Sequence, residues 1–440
     1  MRYIKRTIDT TLEEWKNSTQ RKPLLLRGAR QVGKSSTVRE LSKKFTHFVE
    51  VNFESEKEVR TFFQGNLNPR QICDRLSLYY ETPIIPGETL LFLDEIQSCK
   101  PAIESLRFFY EKYQELHVIA AGSLLEFALT DLSSFGVGRI RSAFIYPLSF
   151  NEYLSAIGMD MLLDAKKKAD IQHPLDTIFH QKLNEHLKQF LILGGMPEVI
   201  ATYVETNSML QCMQVIDDLR ISFQDDFAKY KENVPTLRIR EVFDSIAEQT
   251  GGKFVYSKAS QESNYRQIKE AVDLLTMAGL AIPVYRTSAN GIPVGAGINS
   301  SFFKLFLLDT GMFQRMIHLD TAQLLTTEDW ENINKGAIAE QFAALELIKA
   351  APAYQKSQLY YWQRESKNSN AEVDYILQQD QHIIPLEIKS GTKGSMHSLH
   401  LFMEEKQPPY GVRSSLENFG QYNNIRLCPL YALGDKFHAV

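Results

Sequence analysis

Gly28-Ala29-Arg30-Gln31-Val32-Gly33-Lys34-Ser35 has the form G-x-x-x-x-G-K-S, and its reading decides the fold. It follows an apolar run, Leu24-Leu25-Leu26, and leads into a helical pattern, Thr37-Val38-Arg39-Glu40-Leu41. Strand, loop and helix in that order are the setting in which such a loop binds phosphate. Gly28 and Gly33 let the backbone wrap, so that its N–H groups point at phosphate oxygens. The positive end of the following helix faces the same anion. The expected nucleotide-binding residues are Gly28, Ala29, Arg30, Gln31, Val32, Gly33, Lys34, Ser35 and Ser36. Lys34 is expected on the β/γ-phosphates and the Ser35 hydroxyl on Mg²⁺.

Working outward, Leu90-Leu91-Phe92-Leu93-Asp94-Glu95 is an apolar run ending in two carboxylates, about 60 residues after the loop. Such a run suits a buried parallel strand whose carboxyl end meets the nucleotide. Asp94 is expected to hold Mg²⁺, mostly through water, and Glu95 to orient and polarise the attacking water. Phe48 to Phe53 reads as a second strand. Pro101 begins a helix with Ile103, Leu106, Phe109, Tyr110 and Tyr113 at three- and four-residue steps. His117 to Ser123 reads as the next strand. Ser123, at its end, either bonds the γ-phosphate or attacking water, the role called sensor 1, or caps the strand. Alternating strands and helices imply a mostly parallel sheet with the ligand at its carboxyl edge.

Composition supports this class. The chain has 440 residues, 44% hydrophobic and 23% charged, with a net charge of −4. That length suits two to four domains, and the charge argues against a generally basic nucleic-acid coat while leaving room for a local basic groove. Cys73, Cys99, Cys212 and Cys428 are scattered without a C-x-x-C pair. They suit a reducing cytosol and offer neither a zinc site nor a disulfide framework. No apolar run approaches the ~20 residues of a membrane span, and residues 1–16 lack the apolar centre of a signal peptide. The cytoplasm is the expected location.

Three stretches together resemble a known family. They are Arg27 to Ser35, Leu93-Asp94-Glu95-Ile96-Gln97 and Ala121-Gly122-Ser123, which are similar to the AAA+ ATPases of the archaeal-type ATPase group. Gly138-Arg139, Tyr146 to Tyr153 and Gly194-Gly195-Met196-Pro197-Glu198 extend the resemblance to the prokaryotic branch that carries a C-terminal domain of unknown function. Ala120-Ala121-Gly122-Ser123 departs from the more usual Thr-Gly-Ser form and keeps the serine. Glu95 and Ser123 are the expected catalytic residues, and the resemblance adds Arg139 to them. Arg139 would lie near the nucleotide of its own chain or reach a neighbour's as an arginine finger. Arg141, two residues on, is the alternative.

From Asn151 to Pro235 the chain reads as helical; Leu183, Leu187, Phe190 and Leu191 keep a helical period until Gly194-Gly195. In AAA+ terms this is a helical lid. Two helices follow, marked by Ile239, Val242, Phe243 and Ile246 and by Tyr265, Ile268, Val272 and Leu275. Strands at Ala281 to Arg286 and Phe303 to Leu307 come next. Helix, helix, strand, loop, strand is the outline of a winged helix. Lys258, Arg266 and Lys269 would meet phosphates if the second helix docked on DNA. The intervening Glu262, Glu270 and Asp273 favour packing on the ATPase or on a protein instead.

The last segment carries its own pattern. Glu372 to Leu377 and Ile383 to Lys389 flank a turn, which brings Asp374, Glu387 and Lys389 together, with Glu387 and Lys389 on one strand face. The arrangement resembles D…E-x-K of the PD-(D/E)XK nucleases. Asp374 and Glu387 would hold a divalent metal and Lys389 would position or activate water. Glu340, opening a helix through Leu347, resembles the helical acid of junction-resolving relatives. Tyr360 to Arg364 reads as the first core strand. Alternate charges on a solvated hairpin face give the same pattern.

The expected architecture is α/β. It comprises a P-loop AAA+ core with a parallel sheet (1–150), a helical lid (151–235), a winged-helix-like domain (236–316) and a PD-(D/E)XK-like α/β domain (317–440). The expected function is Mg²⁺-dependent ATP binding and hydrolysis coupled to the nuclease-like domain, acting on DNA. The alternative is a signalling or scaffold ATPase whose C-terminal domains bind partners without cutting nucleic acid. A small-molecule kinase fits less well, because Asp94-Glu95 suits water activation. Expected cofactors are ATP, Mg²⁺ and a second divalent metal in the C-terminal domain. Expected partners are ATP or ADP, DNA or a protein, and further copies of the chain, without a membrane.

Overall fold

The structure is a computed structural model and describes residues 3–130, 138–230, 234–260, 264–319, 335–365, 371–392 and 394–440. The chain divides into two compact units. The first comprises Met1–Pro147 with the short stretches Met277–Gly279 and Pro352–Lys356, and the second comprises the rest.

In the first unit, β1 (Leu24–Arg27), β2 (His47–Asn52), β3 (Thr89–Asp94), β4 (His117–Ala121) and β5 (Arg141–Phe144) form one parallel sheet in the order β2-β3-β4-β1-β5. Every residue of β3 is buried, and Leu90, Leu91, Phe92 and Leu93 are each 0% exposed. At about 1.5–3 kcal/mol for each such side chain taken from water, the interior of this strand is a main source of the unit's stability. The helices α1 (Thr7–Asn17), α2 (Lys34–Ser42), α3 (Pro69–Tyr80), α4 (Lys100–Lys112) and α5 (Leu125–Thr130) accompany the sheet. On α4, Ile103, Leu106 and Phe109 point into the core that also holds Leu91, Leu93 and Val118. All four cysteines of the chain are free and buried. No described helix is long and apolar enough to cross a membrane.

The second unit opens with α6 (Phe150–Ala156), α7 (Asp160–Lys168), α8 (Thr177–Leu193), α9 (Pro197–Thr206) and α10 (Met209–Asp226). It continues with α11 (Thr236–Gln249), α12 (Tyr256–Ala259) and α13 (Tyr265–Met277), then the antiparallel pair β6 (Ala281–Thr287) and β7 (Ile298–Leu307), and α14 (Thr310–Met316). The helix α15 (Lys335–Lys349) leads to β8 (Leu359–Gln363), β9 (Glu372–Val373), β10 (Tyr375–Gln379) and β11 (His382–Ile388). After α16 (His397–Lys406) come β12 (Gly411–Ser415), β13 (Gly420–Tyr422), β14 (Ile425–Pro429) and α17 (Leu433–Lys436).

Two sheets result, β7-β6-β8-β9 and β10-β11-β12-β14-β13. The Tyr360 to Arg364 run, expected as the first strand of the C-terminal core, is β8 (Leu359–Gln363) and does not belong to the sheet that contains β11. Instead β8 runs parallel to β6, with Val284 beside Leu359 and Tyr285 beside Tyr360. One sheet thus spans the expected boundary at 316/317. Adjacent parallel pairing over a long connection leaves no local signal in the chain, because it depends on which edge the hairpin offers.

Buried charges join the early helices of this unit to its late ones. Glu346 on α15 accepts from the Phe150 N–H at 3.1 Å, and Lys349 donates to the Leu148 carbonyl at 2.8 Å. Lys166 on α7 pairs with Asp435, both nearly inaccessible. Removing one partner of such a pair costs about 3–5 kcal/mol. Asp309 accepts from the Gly195 N–H at 2.6 Å. Gly194, at φ +72°, lies so close that a Cβ there would meet an Asp309 oxygen at 2.1 Å. The Gly194-Gly195 break is therefore a packing requirement as well as a helix stop. The Ser149/Glu152 capping box starts α6, with Glu152 accepting from the Ser149 N–H at 2.8 Å.

Candidate active site

The phosphate loop leaves the carboxyl end of β1 and closes on the first turn of α2. Gly28 has φ +146°, and a Cβ on it would meet the Ile145 carbonyl oxygen at 2.1 Å. Gly33, at φ +95°, caps α2 in the left-handed conformation. Only glycine takes both positions without strain. Behind the loop, Arg6 donates to the carbonyls of Val32 (3.0 Å) and Tyr146 (2.7 Å). This brace comes from before α1, and no motif or spacing marks it.

Lys34 is 8% exposed and donates to the carbonyls of Gly28 (3.0 Å) and Ala29 (2.6 Å). Burial pulls its pKa down to about 8, against the opposing pull of Glu95 and Asp94. An anion placed in the loop would restore the charged form. The Ser35 hydroxyl donates to Asp94 Oδ2 at 2.9 Å. Asp94 is 5% exposed; burial raises its pKa, and its other oxygen accepts from the Glu95 N–H at 3.0 Å. A hydroxyl and a carboxylate held in contact at the loop's exit are the hard oxygen donors that Mg²⁺ prefers, so the residues present fit the ion.

Glu95 stands one residue past β3 in the left-handed region, at φ +47°. Its Oε2 accepts from Gln97 Nε2 at 2.6 Å, from the Ser123 hydroxyl at 3.2 Å and from the Ser123 N–H at 3.4 Å. Arg30 of the loop donates to the Ser123 hydroxyl at 3.1 Å. One chain of hydrogen bonds thus runs from the loop through Ser123 to Glu95. Gln97 is the member that sequence reasoning left without a role. Gly122 makes room for it, since a Cβ there would meet Gln97 Oε1 at 2.1 Å.

Residues 20–154 match the AAA domain family. Beyond this AAA domain, residues 184–323 and 335–433 match two families described as domains of unknown function, DUF8612 and DUF4143. No curated protein matches the chain. Among solved structures, similarity extends to the Walker-type ATPase PABY2304 of Pyrococcus abyssi. The identity is 15%, covering 72% of this chain and 96% of that one, with a TM-score of 0.45. The Aeropyrum pernix ORC1 protein in complex with DNA is similar at 13% identity, covering 72% and 92%, with a TM-score of 0.29.

Arg139 lies toward the edge of the sheet opposite the phosphate loop. It precedes β5, whose Arg141 lies beside Leu24 at the start of β1, while the loop begins beyond Arg27 at the other end. Arg139 sits half-exposed in an ion pair with Glu111. Arg141 stacks its guanidinium 4.9 Å from the Tyr354 ring centre. Neither side chain shares the loop's edge of the sheet, so this geometry gives no support to action on the same chain's nucleotide.

The C-terminal residues gather around an unforeseen cation. Glu340 (7% exposed, on α15) accepts from Lys304 Nζ at 2.6 Å, and Glu372 Oε1 lies 2.6 Å from the same nitrogen. Asp374, between β9 and β10, accepts from the Ile388 N–H at 2.7 Å. Glu387 accepts from Lys389 Nζ at 2.7 Å, as expected for residues two apart on one strand face. Burial raises the pKa values of Glu340, Asp374 and Glu387, and Asp374 adds to the rise at Glu387. Burial alone would lower the pKa of Lys304, but Glu340, Glu372 and Asp374 hold it raised. Among the described residues no group of His, Cys, Asp or Glu is arranged to hold a metal ion. The second divalent metal expected from the D…E-x-K pattern thus finds no site. Lys304 comes from β7, about 36 residues before Glu340. No signal in the C-terminal segment points to it.

Proposed function

We propose that the chain binds Mg²⁺·ATP at residues Gly28 to Ser36 and hydrolyses it, using Glu95 as the water-orienting base and Ser123 to position Glu95 and the γ-phosphate. The observation that carries this reading is the contact of Ser35 with Asp94, set beside a Glu95 carboxylate fixed by Gln97 and Ser123. Lys34 exchanges its two carbonyl partners for phosphate oxygens. Ser35 and Asp94 would hold Mg²⁺, which when bound would neutralise charge on the β- and γ-phosphates. Arg139 acts on a neighbouring copy, which makes the active form an oligomer. Residues 151–235 serve as a helical lid, and the winged-helix-like and nuclease-like parts that follow share the sheet β7-β6-β8-β9 rather than dividing at 316/317. Phosphate release from ATP that requires Mg²⁺ and disappears in Lys34→Ala tests the reading.

For the C-terminal half, the contact of Lys304 with Glu340 and Glu372 favours the second reading, in which this half binds DNA or a protein without cleaving it. A nuclease of this type needs a metal among its carboxylates, and here an ammonium group stands among them.

A further inference from the structure

Four carboxylates and two ammonium groups gather on or beside α15, β7, β9 and β11, and among the described residues no group of His, Cys, Asp or Glu is arranged to hold a metal. Lys304 is 1% exposed; its Nζ is 2.6 Å from Glu340 Oε1 and 2.6 Å from Glu372 Oε1. The same nitrogen lies 5.3 Å from the ring centre of Tyr361. A divalent ion ligated by those two carboxylates would sit about 2.0–2.6 Å from their oxygens, in the volume the ammonium fills. The two cations are mutually exclusive on this geometry. Each side of the contact also needs the other, since a buried ammonium without partners, or buried carboxylates without a cation, is strongly unfavourable. Glu387 is 5% exposed and has one oxygen on Lys389, while its Oε2 has no hydrogen-bond partner. The Tyr361 hydroxyl, on a residue 1% exposed, is likewise unpartnered. Two buried oxygens of the cluster's residues thus have no hydrogen-bond partner, while the Lys304 ammonium, a donor only, cannot ligate or activate water as a metal would.

We propose that Lys304 is the resident cation of this cluster, held by Glu340 and Glu372 beside the Asp374 and Glu387 that the D…E-x-K arrangement would use for a divalent metal. This rests on the nuclease-like reading of the C-terminal half and is independent of the ATPase reading. It makes the domain a metal-free binding module, and it makes one side chain the difference between that module and a metal site.

The test is a Mn²⁺ titration of the full-length, nucleotide-free protein followed by electron paramagnetic resonance. It is run in an Asp94→Ala background so that the phosphate loop contributes no site. The parent takes up no Mn²⁺ at the cluster. Lys304→Ala gains one ion per chain, bound at least about tenfold tighter than anything in the parent, as expected when carboxylate ligands are freed. The ion raises the thermal unfolding midpoint, and adding Glu340→Gln removes both effects. A Lys304→Ala chain that folds only with Mn²⁺ gives the same answer. If it folds in neither condition, Lys304→Gln is titrated by the same criteria. Uptake by the parent that Glu340→Gln abolishes would overturn the proposal and leave the nuclease-like reading standing. A folded Lys304→Ala chain that ignores Mn²⁺ would overturn both.

Discussion

The Ser35 hydroxyl donates to Asp94 at 2.9 Å, joining the phosphate loop to the end of β3 across 59 residues of sequence. Both groups are oxygen donors that would hold Mg²⁺, and the ion would bind more weakly without either. Asp94→Asn keeps the size of the side chain and removes its charge. Its Mg²⁺ requirement for ATP turnover should rise roughly 10–100-fold, the usual cost of losing a supporting carboxylate at a metal site. A Mg²⁺ dependence identical to wild type would remove Asp94 from the site.

Lys34 makes nucleotide affinity depend on pH. Burial lowers its pKa from 10.5 to about 8 in the free protein, and phosphate favours its charged form. Below pH 8 the lysine is already charged; above it, ATP binding must take up a proton. Affinity should therefore fall with rising pH past about 8, by up to about tenfold per unit. The free protein should gain stability over the same window, because the folded state then no longer buries a charge that the unfolded state retains. Calorimetry in buffers of different ionisation enthalpy checks the proton uptake at pH 9, and Lys34→Ala should abolish it.

Arg139 lies at the edge of the sheet opposite the loop, paired with Glu111. Hydrolysis per chain should accordingly rise with protein concentration. Mixtures of Arg139→Ala and Lys34→Ala chains should recover activity that neither has alone. A rate per chain that is flat on dilution, with no recovery on mixing, would leave Arg139 a surface residue.

The C-terminal cluster sets a second pH dependence, of opposite sign. Glu340, Asp374 and Glu387 have folded pKa values above their ordinary ones, chiefly through burial. The folded state then binds more protons than the unfolded state, so this contribution to stability is lost as pH rises through the carboxylate range. Lys304, whose pKa is raised, stays charged throughout and contributes no slope there. The unfolding midpoint of the cluster's unit should fall between roughly pH 5 and 8, and Glu340→Gln should flatten that fall. A slope unchanged by Glu340→Gln, measured by circular dichroism melts, would contradict this.

The nucleotide site was the more legible part of the chain because its geometry is local. The spacing from Gly28 to Ser35 constrains one loop, and an apolar run ending in Asp94-Glu95 can only emerge at a sheet edge. The α/β class followed from the same alternation. Gln97 belongs to the motif, but its hold on Glu95 is invisible in the sequence, because a polar residue just past a strand has many equivalent uses. Arg6 and Lys304 were missed for a stronger reason. Each reaches its partners through tertiary packing, and neither lies near the motif it supports. Glu387 and Lys389 are in contact, as strand alternation implies, but the cation beside Glu340 depends on β7 packing against α15.

Replacing Glu95 by glutamine tests the central claim most directly. The side chain keeps its length and can still accept from Ser123 through its amide oxygen, but it loses the charge that polarises water. ATP should bind Glu95→Gln with near wild-type affinity, while phosphate release falls by roughly 10² or more, the usual contribution of a positioned general base. An unchanged turnover number alongside unchanged binding would contradict the account.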